Sequence, residues 1–141
     1  MKYSHRLSDA IHILTYIGIS DSNTELSSRA IAGSIDSNPS LVRRLMATLS
    51  NAGLINSTPG KISLELSRSA KDISLLDVYK AIEEPQLLHV DPKTNLKCIV
   101  GANIQKTLAD AYDKIQQQAE QEMANISIQE IVDSILAENK K

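Results

Sequence analysis

The sequence predicts a mainly α-helical protein with one small β-hairpin, organised as a winged helix-turn-helix domain and a long C-terminal dimerisation helix. Two short amphipathic helices joined by a tight turn at 36–38 indicate the helix-turn-helix. Two short apolar stretches around a Pro-Gly turn follow directly and predict the hairpin, or wing. Nearer the C-terminus, apolar residues recur in steps of three and four, the period of a helix–helix seam.

The composition limits the size of the fold and the class of protein. The 141 residues suffice for one compact domain with a short appendage, and without Trp or Phe the core must be aliphatic. A polar N-terminus and the lack of a long apolar run argue against export and against a membrane partner. The single cysteine, Cys98, excludes an internal disulfide and fits a reducing cytosol, so we expect a cytoplasmic protein.

Charge is distributed unevenly along the chain. Residues 1–70 carry seven Lys/Arg and five Asp/Glu, a net charge of +2, whereas residues 71–141 carry eight and twelve, a net charge of −4. The overall charge of −2 argues against simple coating of nucleic acid. The basic first half is nevertheless suited to contact a polyanion.

Capping residues and apolar spacing place the first three helices. The first is expected over about 4–20, and the second after Ser27, a plausible N-cap. Asn38 and Pro39 have the character of an N-cap and a first helical residue, and Gly53 ends the third helix. One face of this third helix is apolar, and the other carries small residues and arginines: Ser40, Arg43, Arg44 and Ala47. Such a face fits the major groove of DNA.

The wing and the following helix are predicted next. Residues 54–57 and 62–66 have the pattern of strands, and Lys61 lies near the tip of the turn between them. A further helix follows Ser74, which forms a capping-box pattern with Asp77.

A long connection and two helices complete the chain. The connection at 85–103 is long enough to suggest a function, and a long helix is expected over about 102–125. A last helix begins at Ser127, in a capping box with Glu130. We therefore divide the chain into a winged helix-turn-helix domain (1–84), a regulatory loop (85–103), and a dimerisation helix with a C-terminal helix (104–141). The expected dimer seam consists of Ile104, Leu108, Ala111, Ile115 and Met123.

Five segments together resemble the Rrf2 family of bacterial winged helix-turn-helix transcription regulators. They occur in the family's order over nearly the whole chain: LSDAI at 7–11, NPSLVRR at 38–44, AGLI at 52–55, ISLLDVYKAIE at 73–83 and CIVG at 98–101. The resemblance implies a sequence-specific regulator, in most cases a repressor. It also implies a homodimer that pairs through the long helix and binds a pseudo-palindromic operator in double-stranded DNA.

Two departures from the family pattern affect this interpretation. Many members have a Gly-rich wing, whereas this wing has only Gly60. Members that bind an iron–sulfur cluster place three cysteines before the long helix, and here only Cys98 is present. The chain therefore resembles the cluster-free or thiol-sensing branch, and we expect no cofactor and no metal site.

The candidate DNA contacts lie on the helix-turn-helix and the wing. They are Ser28, Arg29, Asn38, Pro39, Ser40, Arg43, Arg44 and Lys61. Arginine can read guanine through two hydrogen bonds or hold a phosphate. Arg44 could instead pair with a carboxylate, and Ser28 and Arg29 could be a cap and a surface charge.

Cys98 is the candidate sensor. It lies in a polar loop directly after Lys97 and shortly before the expected helix start, and both features lower a thiol pKa. An oxidant or electrophile could then act as inducer, whereas a buried cysteine would only pack. His89 and Asp91 lack the neighbouring ligands that a metal site needs.

Two other classes of function compete with DNA-binding regulation. A helical protein–protein adaptor would use the wing and the arginines to bind an acidic partner, without DNA specificity. A thiol enzyme would need a base positioned beside Cys98, and no local motif supplies one, so we expect no enzymatic activity.

Overall fold

A computed structural model describes residues 4–56 and 64–141. The described elements are α1 (Arg6–Ile19), α2 (Ser28–Ile35), α3 (Pro39–Asn51), β1 (Ile55–Asn56), β2 (Glu65–Leu66), a 3-10 turn (Ala70–Asp72), α4 (Leu75–Ala81), α5 (Ile99–Ala124) and α6 (Ile128–Asn139). The strands pair antiparallel, with Ile55 opposite Leu66 and Asn56 opposite Glu65. This mostly helical fold with one two-stranded sheet confirms the predicted fold class. Across both described stretches, no helix combines the length and apolar character needed to span a membrane.

Local capping chemistry explains where the helices begin. The side chain of Ser27 accepts a hydrogen bond from Ala30 N at 3.0 Å, and that of Asn38 accepts one from Ser40 N at 2.7 Å. Ser74 and Ser127 each form a complete capping box, so all four predicted caps are confirmed. Between α2 and α3, Asp36 adopts a left-handed conformation with φ of 61°, which makes the tight turn of the helix-turn-helix.

The chain divides into two compact units, 1–84 with 124–141, and 85–123. In the first unit α1, α2, α3, α4 and α6 enclose an aliphatic core. Its fully buried side chains include Ile13, Leu14, Ile31, Leu49, Ile73 and Ile128. This core keeps α2 and α3 in a fixed relation to the wing.

The division differs from the sequence-based one, because α6 belongs to the winged helix-turn-helix unit rather than with the long helix. The starts of α4 and α6 are joined by two backbone hydrogen bonds: Leu75 N donates to Ile126 O at 2.9 Å, and Ile128 N donates to Ile73 O at 2.8 Å. Along α1, Gly18 faces Val132 of α6, and a Cβ there would be in ordinary contact with the Val132 side chain at 3.4 Å.

In the second unit the connection at 85–98 runs back along α5. Leu87 N donates to the Gln116 side chain at 3.0 Å, and the Gln105 side chain donates to Pro92 O at 2.9 Å. Nearer the helix start, the Thr94 hydroxyl donates to Gly101 O at 2.6 Å. The helix begins at Ile99, three residues before the expected start, so the expected loop boundary at 103 lies inside the helix.

The Ser74 cap offers a test of the fold. We expect Ser74→Ala to lower the free energy of unfolding by about 1 kcal/mol, because the Asp77 N–H would lose its acceptor. Urea denaturation would measure the change. Ser22→Ala, in the exposed loop after α1, is the matched control and should leave the unfolding midpoint unchanged. Equal midpoints for both variants would contradict a stabilising role for the cap.

Candidate nucleic-acid interface and thiol site

The third helix separates a buried face from an exposed one. Val42, Leu45 and Leu49 are buried in the core, and this anchors α3 against the domain. The exposed face carries the predicted set: Ser40, Arg43, Arg44 and Ala47. Since these positions are three or four residues apart, they form one strip on the helix surface.

The two arginines of this strip are available for a ligand. The Arg43 guanidinium donates to Ser40 Oγ at 3.1 Å, which holds the side chain towards the N-terminal end of α3. Neither Arg43 nor Arg44 forms an ion pair with any residue that the structure describes, so the alternative pairing of Arg44 with a carboxylate is not observed there. Exposed cations without an ion-pair partner are suited to contact phosphate or base edges.

The start of α2 meets α3 and the wing on the same surface. Ser28 and Arg43 line one depression of about 340 Å³ together with Met46, Ala47, Ile55 and Leu64. The geometry therefore brings two predicted DNA contacts from different helices together, beside the described part of the hairpin. Arg29 is exposed at the start of α2.

The remaining predicted contacts have different surroundings. Asn38 is exposed, but its side-chain oxygen caps α3, which leaves its amide NH₂ as the group free to meet DNA. Pro39 is half-buried as the first residue of α3. Lys61 and the tip of the wing lie outside the described residues.

Cys98 immediately precedes α5 and is exposed. Its backbone is fixed at both sides, because Cys98 N donates to Asn95 O at 3.2 Å and Cys98 O accepts from Ala102 N at 2.8 Å. The side chain of Asn95 also accepts from Lys97 N at 3.0 Å, which closes the turn before the helix. Within the single chain, Cys98 is therefore not packed into a core.

The helix start lowers the pKa of the Cys98 thiol. Backbone N–H groups of Gly101 and Val100 stabilise the thiolate, and together they outweigh the small opposing effect of desolvation. From the sequence, Lys97 was also expected to lower the thiol pKa. In the structure only the backbone N–H groups lower it. Gly101 is needed here because a Cβ would lie 2.1 Å from Asn95 O, so the turn could not close over a larger residue.

The long helix presents an apolar stripe that its own chain does not bury. Of all 26 residues of α5, only the polar Gln116 is buried. The predicted seam residues are half-buried (Ile104, Leu108, Met123) or exposed (Ala111, Ile115). In this chain the apolar face of α5 is therefore largely open to solvent, and large exposed apolar patches are typical of interaction surfaces.

The stripe extends further than the sequence analysis predicted. Val100 lies one turn before Ile104 and is 61% exposed, and its neighbour Ile99 is 82% exposed. Leu96, in the preceding turn, is also exposed. The apolar surface therefore reaches Cys98. This extension was not predicted because the helix was expected to start at residue 102, although IV at 99–100 would continue the seam period.

Comparison with protein families gives a match over almost the whole chain. Residues 3–134 match the Rrf2 family, which is described as an iron-dependent transcriptional regulator. An iron-dependent regulator needs side chains that hold the iron.

The donor set of this chain does not fit an iron–sulfur cluster. Clusters are held mainly by cysteine thiolates, and Cys98 is the only cysteine in the sequence. Within 4–56 and 64–141, no three His, Cys, Asp or Glu side chains come together in a group that could hold a metal ion.

Individual relatives agree with the family match. The HTH-type transcriptional regulator YwnA of Bacillus subtilis is 35% identical over 131 residues, which cover 92% of this chain and 96% of that protein. YffB of Lactococcus lactis, also described as an HTH-type transcriptional regulator, is 27% identical over 138 residues, 94% of this chain and 88% of that protein. These relatives are regulators rather than enzymes, in agreement with the sequence analysis.

Solved structures show the same fold. A protein described as DNA-binding superposes with a TM-score of 0.71 at 35% identity, covering 89% of this chain and 97% of that one. CymR, the global cysteine regulator of B. subtilis, superposes with a TM-score of 0.69 over 94% of this chain and 97% of its own, and at 16% identity it supports the fold alone. The chain thus belongs to the Rrf2 family and is a DNA-binding transcription regulator.

Proposed function

We propose that this regulator is a homodimeric repressor that binds a pseudo-palindromic operator and releases it when Cys98 is modified. The observation that carries the proposal is the exposed strip of α3, with Arg43 held towards the helix start by Ser40. In helix-turn-helix proteins the N-terminal residues of this helix contact base edges in the major groove. The family implies repression, so deletion of the regulator should raise expression from promoters that carry the operator.

Each DNA contact has a distinct part in this proposal. Arg43, and Ser40 beside it, read base edges, while Arg44 contacts the groove or its phosphates. Ser28 and Arg29 hold phosphate at the start of α2, where the helix N-terminus favours an anion. Asn38, Pro39 and Lys61 add contacts at the turn and the wing.

The open stripe of α5 supports the homodimer. A chain that leaves the apolar face of a 26-residue helix uncovered needs a partner surface, and a second copy supplies an identical stripe. Paired recognition helices then match half-sites about 34–36 Å apart, which is one turn of DNA.

The position of Cys98 at the start of α5 supports control by the thiol. The thiolate attacks a peroxide oxygen, the O–O bond breaks, and the leaving oxygen takes up a proton to give water or an alcohol. The resulting sulfenic acid condenses with a small thiol or with the partner's Cys98 and releases water, while an electrophile instead gives an adduct. Added bulk or charge at the start of α5 would bias the arrangement of the two DNA-binding units, and DNA affinity would change accordingly.

The thiol proposal predicts the pH dependence of labelling. The rate at which iodoacetamide labels Cys98 should reach half its maximum at a lower pH than the rate for a free cysteine measured under the same conditions. The labelling curve should shift to lower pH because a lowered pKa of the Cys98 thiol makes the reactive thiolate available at lower pH. Lys97→Ala is the informative control, because backbone groups lower the pKa and its labelling curve should stay close to that of the unchanged protein.

Oxidation tests whether modification of Cys98 releases DNA. Peroxide should weaken operator binding by the unchanged protein and leave binding by Cys98→Ser unaffected, as measured by fluorescence anisotropy. A Ser variant that still releases DNA on oxidation would exclude Cys98 as the switch. A thiol that reacts no faster than free cysteine would contradict the proposed reactivity of Cys98.

A further inference from the structure

A cavity of about 430 Å³, open to solvent, lies on the surface of the winged helix-turn-helix unit and is lined by residues of α1, α2 and α6. Its apolar walls come from Ile11 and Ile19 of α1 and from Ile131 and Ile135 of α6. Ser34 of α2 also lines it. This volume falls within the range of small-molecule sites, which are mostly apolar with a few polar groups.

The polar groups of the cavity differ in their availability. The Thr15 hydroxyl donates to Ile11 O at 2.7 Å, and the Tyr16 hydroxyl donates to Glu25 O at 3.1 Å, so both already have backbone partners. On the wall towards α2, His12 Nε2 lies 2.7 Å from Ser34 Oγ. A histidine and a hydroxyl keep further donor and acceptor capacity beyond their mutual bond, which a ligand oxygen can use.

The charge of the lining limits the ligand class. Among the described residues that line the cavity, none is an Asp, Glu, Lys or Arg. A charged ligand would lose hydration there without gaining an ion pair, which is unfavourable. A neutral molecule with a hydroxyl or carbonyl group would bury its apolar part against the isoleucines and bond His12 or Ser34.

We propose that this cavity binds a small, uncharged, mainly apolar molecule with one hydroxyl or carbonyl oxygen, and that its binding regulates the DNA interface. The regulatory part depends on the proposed function, because Ser34 lies in the last turn of α2, directly before the turn that leads into α3. An occupant that bonds His12 and Ser34 joins α1 to α2. DNA affinity changes by the difference in ligand affinity between the free and DNA-bound arrangements.

Calorimetry with 2-naphthol as the probe tests the site directly. The purified full chain should bind 2-naphthol saturably, and should bind naphthalene and 2-naphthoate more weakly, since these lack the hydroxyl or carry a charge. Ile135→Trp should fill the cavity and weaken 2-naphthol binding by at least about tenfold. Leu136→Trp is the matched control, because Leu136 is similarly exposed on α6 but does not line the cavity. The affinity of this variant for 2-naphthol should stay within about twofold of the unchanged protein's.

Three results would overturn the proposal. Equal loss in both Trp variants would place the probe elsewhere, and equal binding of all three probes would mean unspecific apolar adsorption. Absence of binding to the unchanged protein, with loss of dimer mass in Ile135→Trp, would show that a second copy covers the cavity. Operator binding is then measured without and with 2-naphthol. A protein that does not bind the operator without 2-naphthol contradicts the proposed function. An operator affinity that 2-naphthol does not change contradicts only the regulation.

Discussion

Replacing Arg43 by alanine should weaken binding to the specific operator by about 1–3 kcal/mol, roughly 5- to 150-fold, while leaving the fold intact. The side chain is exposed, has no ion-pair partner among the described residues, and extends to Ser40 at the start of α3. Its loss therefore costs DNA contacts but no core packing. Anisotropy titrations with operator and with unrelated duplex would measure both affinities.

Two control variants make the Arg43 result specific. Arg43→Lys keeps the positive charge but loses the planar guanidinium with its paired N–H donors. It should therefore retain affinity for unrelated duplex and lose much of the preference for the operator. Lys80→Ala removes an exposed cation from α4, away from the strip, and should leave operator binding nearly unchanged. An Arg43→Ala protein with full operator affinity would contradict the assignment of this residue.

Placing charges in the stripe of α5 should abolish the dimer. We expect Leu108→Glu with Ile115→Glu to give monomers in analytical ultracentrifugation, because two buried carboxylates per protomer would repel across the seam and lose hydration. The monomer has a single recognition helix, so operator affinity should fall more than for any single DNA-contact variant. Circular dichroism should retain the helical signal of the DNA-binding unit.

A charge-matched control separates the seam from the helix as a whole. Ala102→Glu with Gln117→Glu adds the same two charges at exposed positions on the opposite face of α5. This variant should remain a dimer and bind the operator as before. Unchanged dimer mass in the Leu108 and Ile115 variant would contradict the proposed seam.

The features predicted correctly depend on neighbours in sequence. The caps at Ser27, Asn38, Ser74 and Ser127 were predicted because a cap and its acceptor or donor lie within three residues of each other. The exposed strip of α3 follows from helical periodicity for the same reason.

The start of α5 was predicted wrongly because Gly101 was interpreted as part of a loop. In the structure Gly101 lies inside the helix, where its missing Cβ makes room for the carbonyl of Asn95. That close approach joins residues six apart through a turn, and the sequence gives no signal for it. The position of Cys98 directly before the helix follows from this correction.

Contacts between distant segments were the least predictable. The apolar stripe of α6 does not specify its partner, so the sequence grouped it with α5, whereas it packs on α1. The pairing of His12 with Ser34 joins residues 22 apart and depends on how α1 and α2 cross. The sequence therefore gave no indication of the cavity at these two residues.

Selection of bound duplexes from a random pool tests the central claim most directly. The reduced protein should enrich an inverted repeat whose half-sites are centred about 10–10.5 base pairs apart or a multiple of this, as two paired recognition helices require. Selection after peroxide treatment should lose that repeat, whereas Cys98→Ser should retain it under both conditions. Enrichment of a single unrepeated half-site, or of no sequence at all, would contradict a dimeric, sequence-specific DNA-binding regulator.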